Sequence, residues 1–360
     1  MNKPGLGVDL SPDVAAAIIR ASLTMKDSWN MITAAIAGLG WWGQNLVNGA
    51  AEGQGLRFTR AVTRTRQTAE AFCRQKSLAW TDDFDSVLAD PAIQAVVLAT
   101  PHSQHPEQVR RAAAAGKHVF VEKPFALTLA EADEMLDAAA KAGIVLAVGF
   151  NRRFHPSMAR LRDAVKSGAL GTVTTISAEQ TALHGLDLTE AAWRARPEEA
   201  PGGAMTAIGV HLVDGMIDLM GPITAVSGRV TRRAAMVDDT TNILVEFANG
   251  ATGHIYASTV SVPVYRMAVH GTAGFAEIRN HAMDEYRLIA ALPGQNRQAA
   301  EPEVHVTKGF NMLTAELDAF ARAIETKQPF PTPLSDIRHG VAVFEAIIRS
   351  ASGGERVVVG

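Results

Sequence analysis

A strand-like run, Ile32–Ala37, leads directly into Gly38-Leu-Gly40-Trp-Trp-Gly43 and then into a helical stretch, and no other feature of the chain restricts its fold so strongly. The G-x-G-x-x-G spacing suits a tight turn at Gly38, close approach of backbone to a pyrophosphate at Gly40, and close packing of helix on sheet at Gly43. A phosphate placed there meets the free N–H groups and positive end of the following helix. In isolation the motif is only a glycine-rich turn. In the order strand, motif, helix, strand it predicts a dinucleotide-binding domain.

The rhythm downstream supports this. Leu56–Val62, Ile93–Ala99, His118–Val121 and Ile144–Phe150 are strand candidates, and the apolar run IQAVVLA suits a strand covered on both faces. Between them, Glu107–Ala115 stops at Gly116, and Thr128-Leu-Ala-Glu131 has capping-box spacing before an alanine-rich helix that stops at Gly143. A parallel Rossmann sheet is therefore expected over residues 31–150. After Phe150 the pattern changes. Pro156–Ser167 reads as helix, Thr172–Thr181 as strand, Asp187–Pro201 as polar loop and Gly202–Met220 as one helix. Strands follow at Ala225–Thr231, Thr240–Phe247, Thr252–Ser258, Tyr265–His270 and Phe275–Arg279, with Asn249-Gly250 as a hairpin turn. The fold class is α/β: an N-terminal Rossmann sheet, then a C-terminal α+β domain over 151–360 with a large, mostly antiparallel open sheet and a closing helix at about 337–351. Residues 1–30 read as an N-terminal extension, either flexible or an over-called translation start, since Met25 and Met31 also suit a start.

Composition narrows the function. A chain of 360 residues suits two domains, and 34 Lys and Arg against 37 Asp and Glu leave no basic excess for nucleic acid. No apolar run approaches the roughly 20 residues of a membrane span, and Val14–Ile19 is too short for a signal core, so a cytoplasmic protein without a membrane partner is expected. The single cysteine, Cys73, allows no internal disulfide and reads as a packed small hydrophobe.

Ribose specificity is read at the end of the second strand. An acidic residue there accepts the 2′-hydroxyl of NAD. This chain instead has Thr63-Arg64-Thr65-Arg66, and arginine suits a 2′-phosphate, which favours NADP over NAD. The alternative is a solvated turn and an enzyme that takes either cofactor.

Two further motifs, Thr100-Pro101-His102-Ser-Gln-His105 and Glu122-Lys123-Pro124, follow the next two strands. Together with the glycine turn, Gly149-Phe-Asn-Arg-Arg153, Trp193-Arg194, Pro201-Gly202-Gly203 and His270-Gly-Thr-Ala-Gly274, the chain resembles the Gfo/Idh/MocA family from Ile32 onward. The resemblance implies a nicotinamide at the domain junction, Lys123 beside the reacting carbon, a frequently cis peptide before Pro124, and a homodimer or homotetramer packed through the open sheet. The cofactor side then comprises Gly38, Gly40, Trp41, Trp42, Gly43, Thr63, Arg64, Thr65, Arg66, Thr100, Pro101, His102, His105, Glu122 and Lys123. Arg152, Trp193, Arg194 and His211 fall on the substrate side, and His184 lies in a Leu-His-Gly loop of unknown reach. No metal is expected, because His102 and His105 have no further ligand at recognisable spacing.

The family's Asp-x-Gly-x-His pattern appears here as Ala207-Ile-Gly-Val-His211, with the aspartate absent. Positions 207 and 211 share a helix face. Asp214, further along, either orients His211 or completes a polar edge. The leading expectation is hydride transfer between a nicotinamide and the hydroxyl or carbonyl carbon of a small-molecule sugar, cyclitol or related compound. His211 would accept the proton and Lys123 stabilise the oxyanion, or the reverse. A dihydrodiol dehydrogenase is the variant that the lost aspartate suits. The rival from another class is a catalytically silent dinucleotide-binding regulator. Convergence of Lys123 and His211 discriminates between them.

Overall fold

The computed structural model describes residues 30–292 and 298–360, so the expected N-terminal extension lies outside the described residues apart from Asn30. β1 (Ile32–Ala37) is buried almost throughout and opens a βα series: α1 (Trp41–Glu52), β2 (Leu56–Val62), α2 (Arg66–Lys76), β3 (Ala79–Thr81), α3 (Phe84–Ala89), β4 (Ala95–Leu98), α4 (His105–Ala114), β5 (His118–Val121), α5 (Leu129–Ala142) and β6 (Leu146–Val148). The six strands are parallel in the order β3-β2-β1-β4-β5-β6. The order in which strands are added reverses between β1 and β4, and the crevice outside the carboxyl ends of the strands at such a point is where these sheets bind ligands. Local signals fix the helices. The Thr128–Glu131 capping box forms in both directions, and Gly143 ends α5 in the left-handed region at φ 65°. Cys73 is buried on α2.

The second part begins with a 3-10 turn, Asn151–Phe154, then α6 (Pro156–Lys166), β7 (Val173–Thr181), and a π-turn, Met205–Gly209, running into α7 (Val210–Met220). β8 (Ile223–Thr231), β9 (Thr240–Phe247), β10 (Thr252–Ser258), β11 (Tyr265–Gly271), β12 (Gly274–Arg279), β13 (Glu285–Ala290) and β14 (Glu303–Val306) follow. Two helices, α8 (Met312–Thr326) and α9 (Leu334–Gly353), and a short β15 (Val357–Val358) close the chain. The nine-stranded sheet has the order β14-β13-β12-β11-β7-β10-β9-β8-β15, with β7 and β10 parallel and the other neighbours antiparallel. On β9, Ile243, Val245 and Phe247 point into the core while Asn242 and Leu244 face out, the alternation of a sheet covered on one side. Asn249 and Gly250 form the expected turn between β9 and β10, the Asn249 side chain accepting from Ala251 N–H. Among the described residues no helix is long and apolar enough to cross a membrane.

Three expectations need correction. The helix foreseen over Gly202–Met220 starts at Met205. Gly202 and Gly203 have φ of 69° and 44°, and a Cβ on Gly203 would lie 1.7 Å from the Asp238 carbonyl oxygen, so these glycines make a turn that precedes the helix. The region beyond Arg279 also holds β13, β14 and α8, which the sequence pattern did not reveal. Finally, a second domain running unbroken from 151 to 360 does not describe the packing. Leu317, Phe320, Ala321 and Ile324 of α8 share a buried cluster with Ile32, Ile36 and Leu46, so the chain returns to the Rossmann core before α9.

Candidate active site at the domain junction

The glycine turn shows what each glycine is for. Gly38 has φ 88°, and a Cβ there would sit 2.4 Å from the Ala99 carbonyl oxygen; a Cβ on Gly43 would sit 2.0 Å from that of Gly38. Backbone packing therefore demands both. Gly40 is different. Its φ of −70° and ψ of −173° suit any residue, and a Cβ would meet nothing within 4 Å. Open space lies over Gly40, at the start of a helix whose N-cap makes no side-chain hydrogen bond and whose first turn carries no acid. An anion fits this cradle of free N–H groups. Trp41 is exposed, while Trp42 is half-buried, its Nε1 buried near the Glu122 carboxyl.

At the end of β2, Thr63 donates its N–H to Thr81 and its carbonyl accepts from Trp80 Nε1 at 3.1 Å. Arg64 and Thr65 are exposed. Arg66 is already engaged: it pairs with Glu70 at 3.6 Å and lies 5.5 Å from the Trp80 ring. Of the two arginines, Arg64 is the one with no such engagement.

Glu122 and Lys123 follow β5, and the Lys123–Pro124 peptide is cis. Lys123 Nζ reaches across to the second part of the chain and donates to the Ala207 carbonyl at 2.7 Å. Ala207 lies in the π-turn, one helical turn before His211, so lysine and histidine share one corner of the crevice. Removal from water pulls Lys123 down to about 8, with Glu122 opposing and Arg152 and Arg194 adding to the fall. Burial pushes Glu122 up to about 7 against the pull of Lys123. His211 is buried, edge-on to Phe150 at 5.9 Å, and its Nδ1 has no partner. Burial, then Arg152 and Lys123, hold it well below the usual histidine range, so it stays neutral.

The flanking histidines differ. His102 Nδ1 lies 2.5 Å from the Glu199 carbonyl oxygen, and the ring stands edge-on to Trp193 at 4.8 Å. Burial and the neighbouring His105 lower it to about 3. The Glu199 carboxylate accepts from Ser103 O–H and N–H at 2.6 and 3.1 Å, tying the Thr100–His105 loop to the second sheet's side. His105 is fully buried, its ring nitrogens facing the carbonyls of Pro124 (3.1 Å) and Thr100 (3.3 Å). Its side chain stands behind the loop and has no surface for a cofactor, a correction to its placing on the cofactor side; it holds the two loops together. His184 keeps much of its surface exposed, yet partial desolvation, then Lys123 and Arg194 nearby, lowers it too.

Asp214 does not orient His211. Arg153 Nε donates to both its oxygens at 2.9 Å, and Arg153 also meets Asp336 at 3.0 Å, while Asp218 pairs with Arg162. This buried network links the Asn151–Phe154 turn, α7 and α9 behind the crevice. Arg152 faces the other way, 5.8 Å from the Tyr265 ring, and Arg194 lies exposed, 4.1 Å from the Trp193 ring.

Two residues escaped the sequence reading. Tyr265 is buried with its hydroxyl unpartnered, and Glu316 on α8 is fully buried with neither oxygen bonded. Burial, then Glu122, push Glu316 well above the usual carboxylate range, with Arg152 opposing. The signal was available for Glu316: it falls on the apolar stripe Leu313, Leu317, Phe320, where a carboxylate needs a reason.

Comparison with known proteins bears on this arrangement. Residues 32–150 match the family model described as oxidoreductase family, NAD-binding Rossmann fold, and residues 158–277 match the GFO/IDH/MocA C-terminal domain. The chain is 30% identical over 259 residues to scyllo-inositol 2-dehydrogenase (NAD(+)) of Bacillus subtilis, covering 68% of this chain and 73% of that one. It is 30% identical over 225 residues to mouse trans-1,2-dihydrobenzene-1,2-diol dehydrogenase, covering 61% of this chain and 64% of the other. The chain spans about three-fifths of the length of several curated relatives that it matches. The solved structure of levoglucosan dehydrogenase in complex with NADH superimposes with a TM-score of 0.84 at 24% identity, over 92% of this chain and all of the other, and so shares the fold.

Proposed function

The chain belongs to the Gfo/Idh/MocA oxidoreductase family, and from that premise we propose that it oxidises a secondary alcohol, or reduces the matching carbonyl, of a sugar, cyclitol or dihydrodiol. The convergence of Lys123 and His211 on one corner carries this reading. It also weighs against a silent regulator, which has no need of a lysine and a histidine so placed.

The Gly38–Gly43 turn and the N-terminus of α1 would hold the pyrophosphate, Thr63–Arg66 the ribose, and Thr100, Pro101 and Glu122 the nicotinamide side. A nicotinamide, when bound, supplies the hydride acceptor or donor. The protein's residues handle the proton. With its pKa near 8, Lys123 suits proton exchange with the substrate oxygen at neutral pH. His211, kept neutral by burial, is left to orient the hydroxyl through a hydrogen bond. This is the second of the two role assignments that the sequence left open. Trp193, edge-on to His102 of the cofactor-side loop, would help to keep water from the reacting atoms. NADP is preferred to NAD in this reading because Arg64 stands exposed at the end of β2 where NAD enzymes carry an acid. Arg64→Ala is expected to raise KM for NADP about tenfold with little change for NAD, and equal changes for both would remove Arg64 from the ribose site.

The test is absorbance of the reduced cofactor with NADP and NAD against a panel of sugars, cyclitols and dihydrodiols, with Lys123→Met alongside. Turnover is expected in the wild type, falling by about 10²- to 10⁴-fold in the variant while NADPH still binds. An unaffected Lys123→Met enzyme, or tight cofactor binding with no turnover of any class, overturns the proposal.

A further inference from the structure

Charge around the reacting corner is unbalanced. Lys123, Arg152 and Arg194 are all drawn into the same neighbourhood, yet none forms an ion pair among the described residues. Lys123 donates to a backbone carbonyl, Arg152 to the Asn151 side-chain oxygen at 3.4 Å, and Arg194 stays exposed on the Trp193 ring, which itself stands against His102. Other arginines of the chain behave differently: Arg153, Arg162, Arg266, Arg338 and Arg356 each hold a carboxylate. Among the described residues, the carboxyls that act on the three cations are Glu122, Glu316 and Asp214, and Asp214 is already held by Arg153. Burial pushes both glutamates toward their neutral forms, and the histidines nearby, His102, His184 and His211, are held neutral. Even with both glutamates ionised, three cations against two carboxylates leave the corner positive. Position 207 deepens the excess, because the family pattern has an aspartate where this chain has a methyl group and offers Lys123 a carbonyl.

We infer that the substrate is an anion, a hydroxy acid of the aldonate or uronate kind, whose carboxylate seats on the Arg194 guanidinium while its carbinol lies between Lys123 and His211. This rests on the oxidoreductase reading above and names its substrate class. An arginine fork matches a carboxylate in plane with two parallel hydrogen bonds. A phosphate ester is disfavoured, because Arg194 sits in a 3-10 turn of three residues, Trp193–Ala195, too short to offer the row of free N–H groups of a helix N-terminus.

Steady-state assays with NADP and NAD would compare D-gluconate and D-galacturonate with D-glucose, D-galactose, myo-inositol and D-glucose 6-phosphate. In parallel, binding of each compound to the protein–NADPH complex would be followed by cofactor fluorescence. The acids are expected to exceed their neutral parents about tenfold or more in kcat/KM and in affinity. Arg194→Gln should raise KM for the acids about tenfold more than for the neutral parents, with kcat little changed and the unfolding midpoint retained. Ala207→Asp should narrow the preference for acids by a similar factor. Turnover of neutral sugars equal to or above that of the acids, lost in Lys123→Met, overturns this inference and leaves the oxidoreductase reading standing. Absence of all turnover overturns that reading instead, and the fluorescence arm then decides the anion site alone: tighter binding of the acids, weakened by Arg194→Gln, sustains it. Equal or absent binding of the acids, or preference for the phosphate ester, refutes it.

Discussion

Gly40→Ala separates a ligand requirement from a folding requirement, with Gly43→Ala as its counterpart. At Gly43 the new methyl would stand 2.0 Å from the Gly38 carbonyl oxygen, a backbone atom that cannot swing aside. The turn must open by about 1 Å, at a cost of roughly 1–3 kcal/mol for overpacking of this kind. At Gly40 the methyl enters open space on a backbone any residue adopts. Stability should change by no more than about 0.5 kcal/mol, as for surface substitutions. A pyrophosphate drawn to the first-turn N–H groups would nevertheless meet that methyl. Loss of one charge-assisted hydrogen bond is worth about 1.5–3 kcal/mol, or roughly 10- to 150-fold in Kd. The assay pairs chemical denaturation with a fluorescence titration of NADH and NADPH. The expected pattern is a stable Gly40→Ala that binds poorly and a Gly43→Ala that is both destabilised and weak. Binding by Gly40→Ala within about threefold of wild type would show that the open space above α1 is not where the phosphates lie. Destabilisation of Gly40→Ala matching that of Gly43→Ala would refute the packing argument itself.

The remaining predictions concern protons and the scaffold. With Lys123 near pH 8, alcohol oxidation needs the free amine, so kcat/KM should rise with pH through about 8 and level off above it, while carbonyl reduction needs the ammonium and should fall through the same range. A midpoint below pH 6 in the rate profile would return the proton to an imidazole. Arg153→Gln leaves the buried Asp214 carboxylate without its partner and should cost about 3–5 kcal/mol in denaturant unfolding. Arg338→Gln, which breaks only an exposed pair with Asp133, should cost about 1 kcal/mol or less. Similar losses in the two variants would contradict the difference drawn here between buried and exposed pairs.

What could be read from the chain was what neighbouring residues decide among themselves. The β1–glycine–α1 unit, the Thr128–Glu131 capping box and the β9–β10 hairpin each depend on a few adjacent positions, and each forms as its local signal implies. The features that escaped depend on distant partners. α8 has an ordinary amphipathic pattern, and nothing in it says that its apolar stripe will lie against α1, more than 250 residues earlier, instead of in the second sheet's core. Asp214 sits at helical spacing from His211, so a local reading pairs them. Arg153, brought in by the chain's path out of β6, offers two good bonds and takes the aspartate first. His105 likewise carries a motif's position but points inward, because its ring nitrogens meet the carbonyls of two different loops.

The missing aspartate illustrates how a local loss is absorbed by geometry. A carboxylate at position 207 would lie beside Lys123 and favour its charged form, raising its pKa. In this chain the π-turn presents the Ala207 carbonyl to Nζ instead, so the lysine keeps a fixed direction without gaining an opposing charge. Glu122 is then the carboxylate left to raise the lysine, and burial has already pushed that glutamate up to about 7. The result is a lysine that remains positioned yet parts with its proton near neutral pH. In the proposed mechanism, an alanine at 207 would therefore bring the proton exchange toward physiological conditions, and it would leave the corner's surplus positive charge to be met by the substrate.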